Sequence, residues 1–141
     1  MRHLLPIIAV LAFLAASSGA AAQTAVSWDT LAKVRVVQQD GRRGPEFDPE
    51  VRRLAGQQVT VRGFMLPLEQ GAQQQNFLLT VVPMQDCFYC LQHGPGSMLE
   101  VRAARPAAYT YARVAVTGRL ELVMDDPLGM YYRLVDARVT S

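Results

Sequence analysis

The sequence predicts a small, mostly β domain: a five-stranded OB-like Greek-key barrel preceded by one or two short N-terminal helices. Three observations predict it. Apolar periodicity changes from helical to alternating just after Gly56. Five segments of strand character then follow one another, separated by turns rich in Gly, Pro and Asp. Two of the long segments carry a glycine at mid-length, Gly63 and Gly118, on the otherwise apolar face. Glycine there marks a bend or bulge of the kind a small coiled barrel needs. An open β-sandwich is the competing architecture.

Taken in order, Arg2 and His3 precede an uncharged run from Leu4 to Ala16, and Ala20-Ala21-Ala22 supplies a small-residue cleavage site. A run of thirteen residues suits a signal-peptide core and falls short of the roughly 20 apolar residues a membrane helix needs. The expectation is a cleaved signal peptide over residues 1–22 and a periplasmic or secreted mature chain. No cysteine follows the cut to carry a lipid anchor, and no later segment is long and apolar enough to span a bilayer. Fourteen basic against twelve acidic residues leave a formal net charge of +2, which offers no electrostatic case for nucleic acid or another polyanion.

The mature chain, 23–141, reads as a single domain, with helices and a loop over 27–56 and the barrel over 57–139. Residues 27–34 form a short helix that Ser27 caps, with Trp28, Leu31 and Val34 along one face. A polar, glycine-containing loop follows to Phe47. Asp48-Pro49-Glu50 starts a second helix, with a cap, a proline at the first helical position and an acid at the positive end. That helix stops at Gly56. In the first strand Val59, Val61 and Met65 share one face, with Thr60 and Arg62 on the other. Residues 77–82, apolar on both faces, form a buried second strand, and 97–101 a short third. Val114, Val116, Leu120 and Leu122 alternate with polar residues in the fourth. Asp125 to Gly129 make a turn before a fifth strand over 130–139. Met65, Met124 and Met130 read as core residues.

Chemistry concentrates in one place. Both cysteines and the one histidine beyond the leader form Cys87-x-x-Cys90-x-x-His93, between the second and third strands. Three readings stand. Two thiolates and an imidazole suit Zn(II) or Cu(I), with Met84, Met98 and Asp86 as candidates for a fourth ligand. A plain Cys87–Cys90 disulfide suits an exported chain and would contribute only about 2 kcal/mol by closing so short a loop. A redox dithiol needs the cysteines at a helix start, and Gly94-Pro95-Gly96 ends any helix at once. No G-x-S-x-G, H-E-x-x-H or phosphate-binding loop is present, so the chain reads as a non-enzyme with no catalytic residues. Tyr109, Tyr111 and Arg113, with Tyr131, Tyr132 and Arg133, form either a binding face for a protein or glycan or ordinary barrel packing.

Several short motifs follow one another along the chain: Leu54-x-Gly56-x-x-Val59, then Gly63-Phe64-Met65-x-Pro67-Leu68, Phe77-Leu78-Leu79 and a cysteine soon after Pro83. They continue with Val116-x-Gly118-Arg119-Leu120 and Tyr132-Arg133-Leu134-x-Asp136-Ala137. Across residues 28–139 the chain thereby resembles a family of uncharacterised secreted proteins of Gram-negative bacteria, a domain of unknown function. The resemblance implies an OB-like barrel in the periplasm, an envelope transport system or other envelope protein as partner, and no established activity. Such relatives often carry one cysteine before a proline-rich stretch, and this chain departs from them in having two.

These readings together describe a periplasmic binding or accessory protein with a metal-sensitive loop. The alternatives are an interaction module stapled by Cys87–Cys90, and a thiol–disulfide redox protein. On export, terminal sequencing is expected to find Gln23 as the mature amino terminus; an intact Met1 on the exported protein would overturn the leader assignment.

Overall fold

The computed structural model describes residues 23–83 and 94–141. The signal peptide expected over residues 1–22 lies outside them. Among the described residues, eight strands and two short helices follow in order: β1 (Thr24–Ala25), α1 (Trp28–Leu31), β2 (Val34–Gln39), β3 (Arg42–Phe47), α2 (Pro49–Leu54), β4 (Gln58–Pro67), β5 (Gln73–Thr80), β6 (Met98–Ala108), β7 (Val114–Leu122) and β8 (Tyr132–Thr140).

Five strands close a barrel in the order β4-β5-β6-β8-β7, with β7 returning to β4. All neighbours are antiparallel except β6 and β8, which run parallel. Counted from the first barrel strand, the order is one-two-three-five-four, the Greek-key path of an OB-like barrel. Alternation does what the sequence predicts. Val59, Val61 and Met65 of β4 face inward with Phe77, Leu79, Leu99, Val101, Val116, Leu120 and Leu134 from the other strands. Each such fully buried side chain contributes about 1.5–3 kcal/mol by leaving water.

The two glycines mark the places where the barrel turns. β4 pairs with β7 from Gln58 to Gly63 and with β5 from Phe64 to Pro67. Gly63 is thus the residue at which β4 changes partner. A Cβ on it would lie 2.6 Å from the Thr80 carbonyl oxygen and 3.1 Å from Trp28 Cζ2. At the second site Gly118 alone opposes Asp136 and Ala137, because Thr117 faces Arg138 while Arg119 faces Val135. The same extra residue of β8 breaks register with β6, between Leu134 and Ala137. Asp136 takes it up at φ 49°, a left-handed conformation that aspartate accepts better than most residues.

Other expectations need correcting. The stretch read as a loop before Phe47 is a hairpin, β2 against β3, with Val34 opposite Phe47. Asp40 and Gly41 both have positive φ, 52° and 78°, which gives the two-residue turn whose twist fits a hairpin. Its polar pairs, Gln38 with Arg43 and Gln39 with Arg42, conceal the strand because neither face is apolar near the turn. The first helix ends at Leu31, and Val34 belongs to β2. β5 begins at Gln73 and ends at Thr80, and β6 runs on to Ala108. Met65 is buried, whereas Met124 is exposed.

The N-terminal elements cover one end of the barrel. Leu31, Val34, Phe47 and Val51 join the barrel core, and Phe47 meets Tyr132 at a ring separation of 5.5 Å. The Tyr132 hydroxyl donates to the Leu31 carbonyl at 2.7 Å, and burial pushes its phenol well above the usual tyrosine range. Asp48 caps α2 through the Glu50 N–H at 2.9 Å, and Lys33, two residues past the end of α1, pairs with Glu50 of α2.

Gly118→Val is expected to cost about 1–3 kcal/mol by overpacking. Its Cβ would sit 3.0 Å from both Ala137 Cβ and the Val135 carbonyl oxygen. An unchanged denaturation midpoint in that variant would show that the bulge does not need glycine.

Candidate functional site

The connection from β5 to β6 starts and ends at one point on the barrel. The Val81 N–H donates to the Ser97 carbonyl at 3.1 Å, and the Ser97 N–H and hydroxyl donate to the Gly94 carbonyl at 3.2 and 2.8 Å. The buried Thr80 hydroxyl donates to the Val82 carbonyl at 2.7 Å. These bonds fix both ends of the loop before and after residues 84–93. Gly96 then presses against the end of α1, where an added methyl would overlap the Leu31 carbonyl and come within 2.7 Å of Ala32 Cα. Beside it lies a cavity of about 210 Å³ bounded by Trp28, Ala32, Val81, Val82 and Gly96. Trp28, whose Nε1 donates to the Arg62 carbonyl at 2.8 Å, fills the space that Gly63 leaves open.

Of the residues that sequence reasoning places in a metal or disulfide site, Cys87, Cys90, His93, Met84 and Asp86 fall outside the described residues. Met98 is described: half-buried, it is the first residue of β6 and stands opposite Thr80 at the base of the loop. Among the described residues no three His, Cys, Asp or Glu side chains gather as metal ligands.

With the barrel order and its parallel β6–β8 pair established, comparison with known proteins becomes informative. The fold resembles that of a DUF3299 family protein from Pseudomonas aeruginosa. That crystal structure superposes with a TM-score of 0.53 at 13% identity, covering 84% of this chain and 95% of the other. It belongs to a domain family of unknown function, in keeping with the uncharacterised family that the sequence motifs resemble. No family model matches this chain, nor does any curated protein. At this identity the likeness concerns architecture, so the site must be argued from its own residues.

The aromatic and arginine residues do not assemble into one face. Tyr131 and Tyr132 are buried. Arg133 is only 19% exposed and is engaged by Glu100 at 2.7 Å and by Glu121 at 3.8 Å. Burial opposes charge on Glu100, but hydrogen bonds from Arg133 and Arg102 outweigh it and hold its carboxyl below the usual range. In the connection between β6 and β7, Tyr109 and Tyr111 pack edge to face at 5.1 Å, with Tyr111 69% exposed and Arg113 exposed nearby. Of the predicted surface, Tyr111 and Arg113 are exposed, while Tyr109 is half-buried against the core. Among the described residues no helix is long and apolar enough to cross a membrane.

Sequence reasoning missed Trp28 and Gly96 as parts of the loop base. Gly96 was legible only as a helix stop, because its contact with Leu31 joins positions far apart in the chain. Gly96→Ala is expected to lower stability by about 1–3 kcal/mol, since the clash is with backbone that cannot rotate away. Gly94→Ala meets no atom within 4 Å but must hold φ +92°, a strain of about 1–2 kcal/mol. Thermal melts in which Gly96→Ala matched the wild type would remove α1 as the anchor of this loop.

Proposed function

We propose that this protein is a non-enzymatic periplasmic binding or accessory protein whose β5–β6 loop takes up a soft metal ion, Zn(II) or Cu(I), on Cys87, Cys90 and His93. The observation that carries the reading is a coincidence of place. Both thiols and the one imidazole beyond the expected leader occupy seven residues of a single connection, and the Val81–Ser97 bond holds the two ends of that connection together. A rigid barrel presenting a chemically loaded loop is a common way to place function. Met98 at the loop base, with Met84 and Asp86 within the loop, supplies the candidates for a further ligand. Thioether ligation would favour Cu(I) over Zn(II).

The second reading rests on the expected export. Two cysteines delivered to an oxidising compartment form a disulfide by default, and the barrel would then act as an interaction module for an envelope protein. Native mass with thiol titration separates the two readings. Loss of two hydrogens and no titratable thiol marks the staple; an added zinc or copper mass marks the metal site.

For the reduced protein, titration with zinc or Cu(I) is expected to saturate at one ion. Cys87→Ser should remove binding almost completely, and His93→Ala should weaken it without abolishing it. Thiolate and imidazole ligands must be free of protons, so affinity falls as pH drops from about 7 towards about 5. Absence of saturable uptake below roughly 10 μM, a weak affinity for a chelating thiolate pair, would end the metal reading in favour of the staple.

A further inference from the structure

The barrel is not sealed between its two parallel strands. β6 and β8 pair through Glu100 with Arg133, Val101 with Leu134 and Ala103 with Ala137, and no further. Past Ala137, β8 keeps β7 on one side, with Arg138, Val139 and Thr140 opposite Thr117, Val116 and Ala115. Its other edge has no strand partner among the described residues. β6 leaves because four of its residues, Ala103 to Pro106, stand against Gln75 alone in β5. The fork opens a groove of about 590 Å³ whose walls include Ala104, Ala107, Ala137 and Val139, with Arg105 and Arg138 along it and no aspartate or glutamate side chain.

Two features of this groove bear on what it can take up. Arg102 and Arg133, on the same two strands, are each paired with a carboxylate, whereas Arg105 and Arg138 have no ion pair among the described residues. Small side chains let another backbone come close. Pro106 removes one donor from the β6 side, whereas β8 past Ala137 contains no proline. Unpaired strand edges recruit strands, and natural partners use this by adding an extended segment whose main chain supplies affinity and whose alternate side chains supply specificity.

We propose that this groove receives an extended acidic segment of a partner protein, which adds as a strand to the open edge of β8 and sets its carboxylates against Arg105 and Arg138. A compact small molecule fits less well, because good small-ligand sites enclose most of the ligand surface and this groove is open along one side. The groove shares no residue with the Val81–Ser97 junction at the base of the β5–β6 connection, so the proposal stands or falls independently of metal uptake.

The test uses the exported protein and a fluorescein-labelled eight-residue peptide of alternating glutamate and valine, followed by anisotropy and by amide exchange. Saturable binding is expected, with slowed exchange at those amides of Arg138 to Thr140 that face away from β7. The double variant Arg105→Ser with Arg138→Ser should bind at least tenfold more weakly at an unchanged melting temperature. N-methylation of alternate peptide bonds, which removes the strand donors, should weaken binding by a similar factor. Equal binding of the N-methylated peptide or of a lysine-for-glutamate peptide overturns the proposal. So does undiminished binding by the double variant, displacement by octanoate at concentrations similar to those of the peptide, or absence of saturable binding. If the double variant instead self-associates and the wild type binds no peptide, the arginines guard the edge and recruit nothing.

Discussion

The structure depends on one strand serving two neighbours. β4 holds β7 along its first half and β5 along its second, and the change of partner at Gly63 is what converts a strongly coiled sheet into a closed barrel. Closure removes most of the free edge that a sheet of this size would otherwise expose, leaving the stretch of β8 past Ala137 open. It also sets what Gly63 must be. Thr80, Leu79 and Trp28 all crowd the position a side chain would take, so the absence of a Cβ is the condition under which Trp28 can cover that end of the core.

A second irregularity balances the first across the barrel. The extra residue in β8 at Asp136 disturbs register with β7 and β6 together, so the strand bends as a unit and brings Tyr132 over the core, towards α1. The Tyr132 hydroxyl bond to Leu31 then joins the last strand to the first helix. The same helix end abuts Gly96 at the base of the β5–β6 loop. A path of packing and hydrogen bonds thus links β8 to Gly96 through the end of α1. Among the described residues every buried polar side-chain atom has a hydrogen-bond partner. Buried Gln74, for example, receives the Leu68 and Glu69 N–H groups on its carbonyl oxygen and donates to the carbonyls of Glu69 and Gly71, so it closes the β4–β5 turn.

The two functional proposals draw on opposite properties of this frame. Metal uptake uses a loop whose ends are clamped, where the cost of assembling ligands is lowered by fixing the point from which they depart. Strand addition uses a place where the barrel's hydrogen bonding is incomplete, where β6 and β8 part. The likeness to the Pseudomonas aeruginosa structure shows that the architecture recurs at low identity, and fold alone does not select between such uses.

Local patterns in the sequence determined a good deal by themselves. Alternation at Val59, Val61 and Met65 and at Val114, Val116 and Leu120 marked the long strands. Asp48-Pro49 marked the start of α2. Mid-strand Gly63 and Gly118 marked the bends, because each signal lies within a few residues and reports a backbone preference directly. The Cys87–His93 cluster was equally legible, being a matter of spacing alone. What tertiary structure decided is whatever depends on pairs distant in the chain. The β2–β3 hairpin was hidden by polar cross-strand pairs beside Asp40-Gly41, and β6 extended past Val101 because β5 continued beside it. Tyr131 and Arg133, equivalent in sequence to exposed candidates, were withdrawn by the core and by Glu100. Arg105 and Arg138 are 33 positions apart in the chain and share a groove only because parallel strands that pair for a few residues then diverge. Local preferences are written residue by residue, whereas burial, ion pairing and open edges belong to the packed sheet.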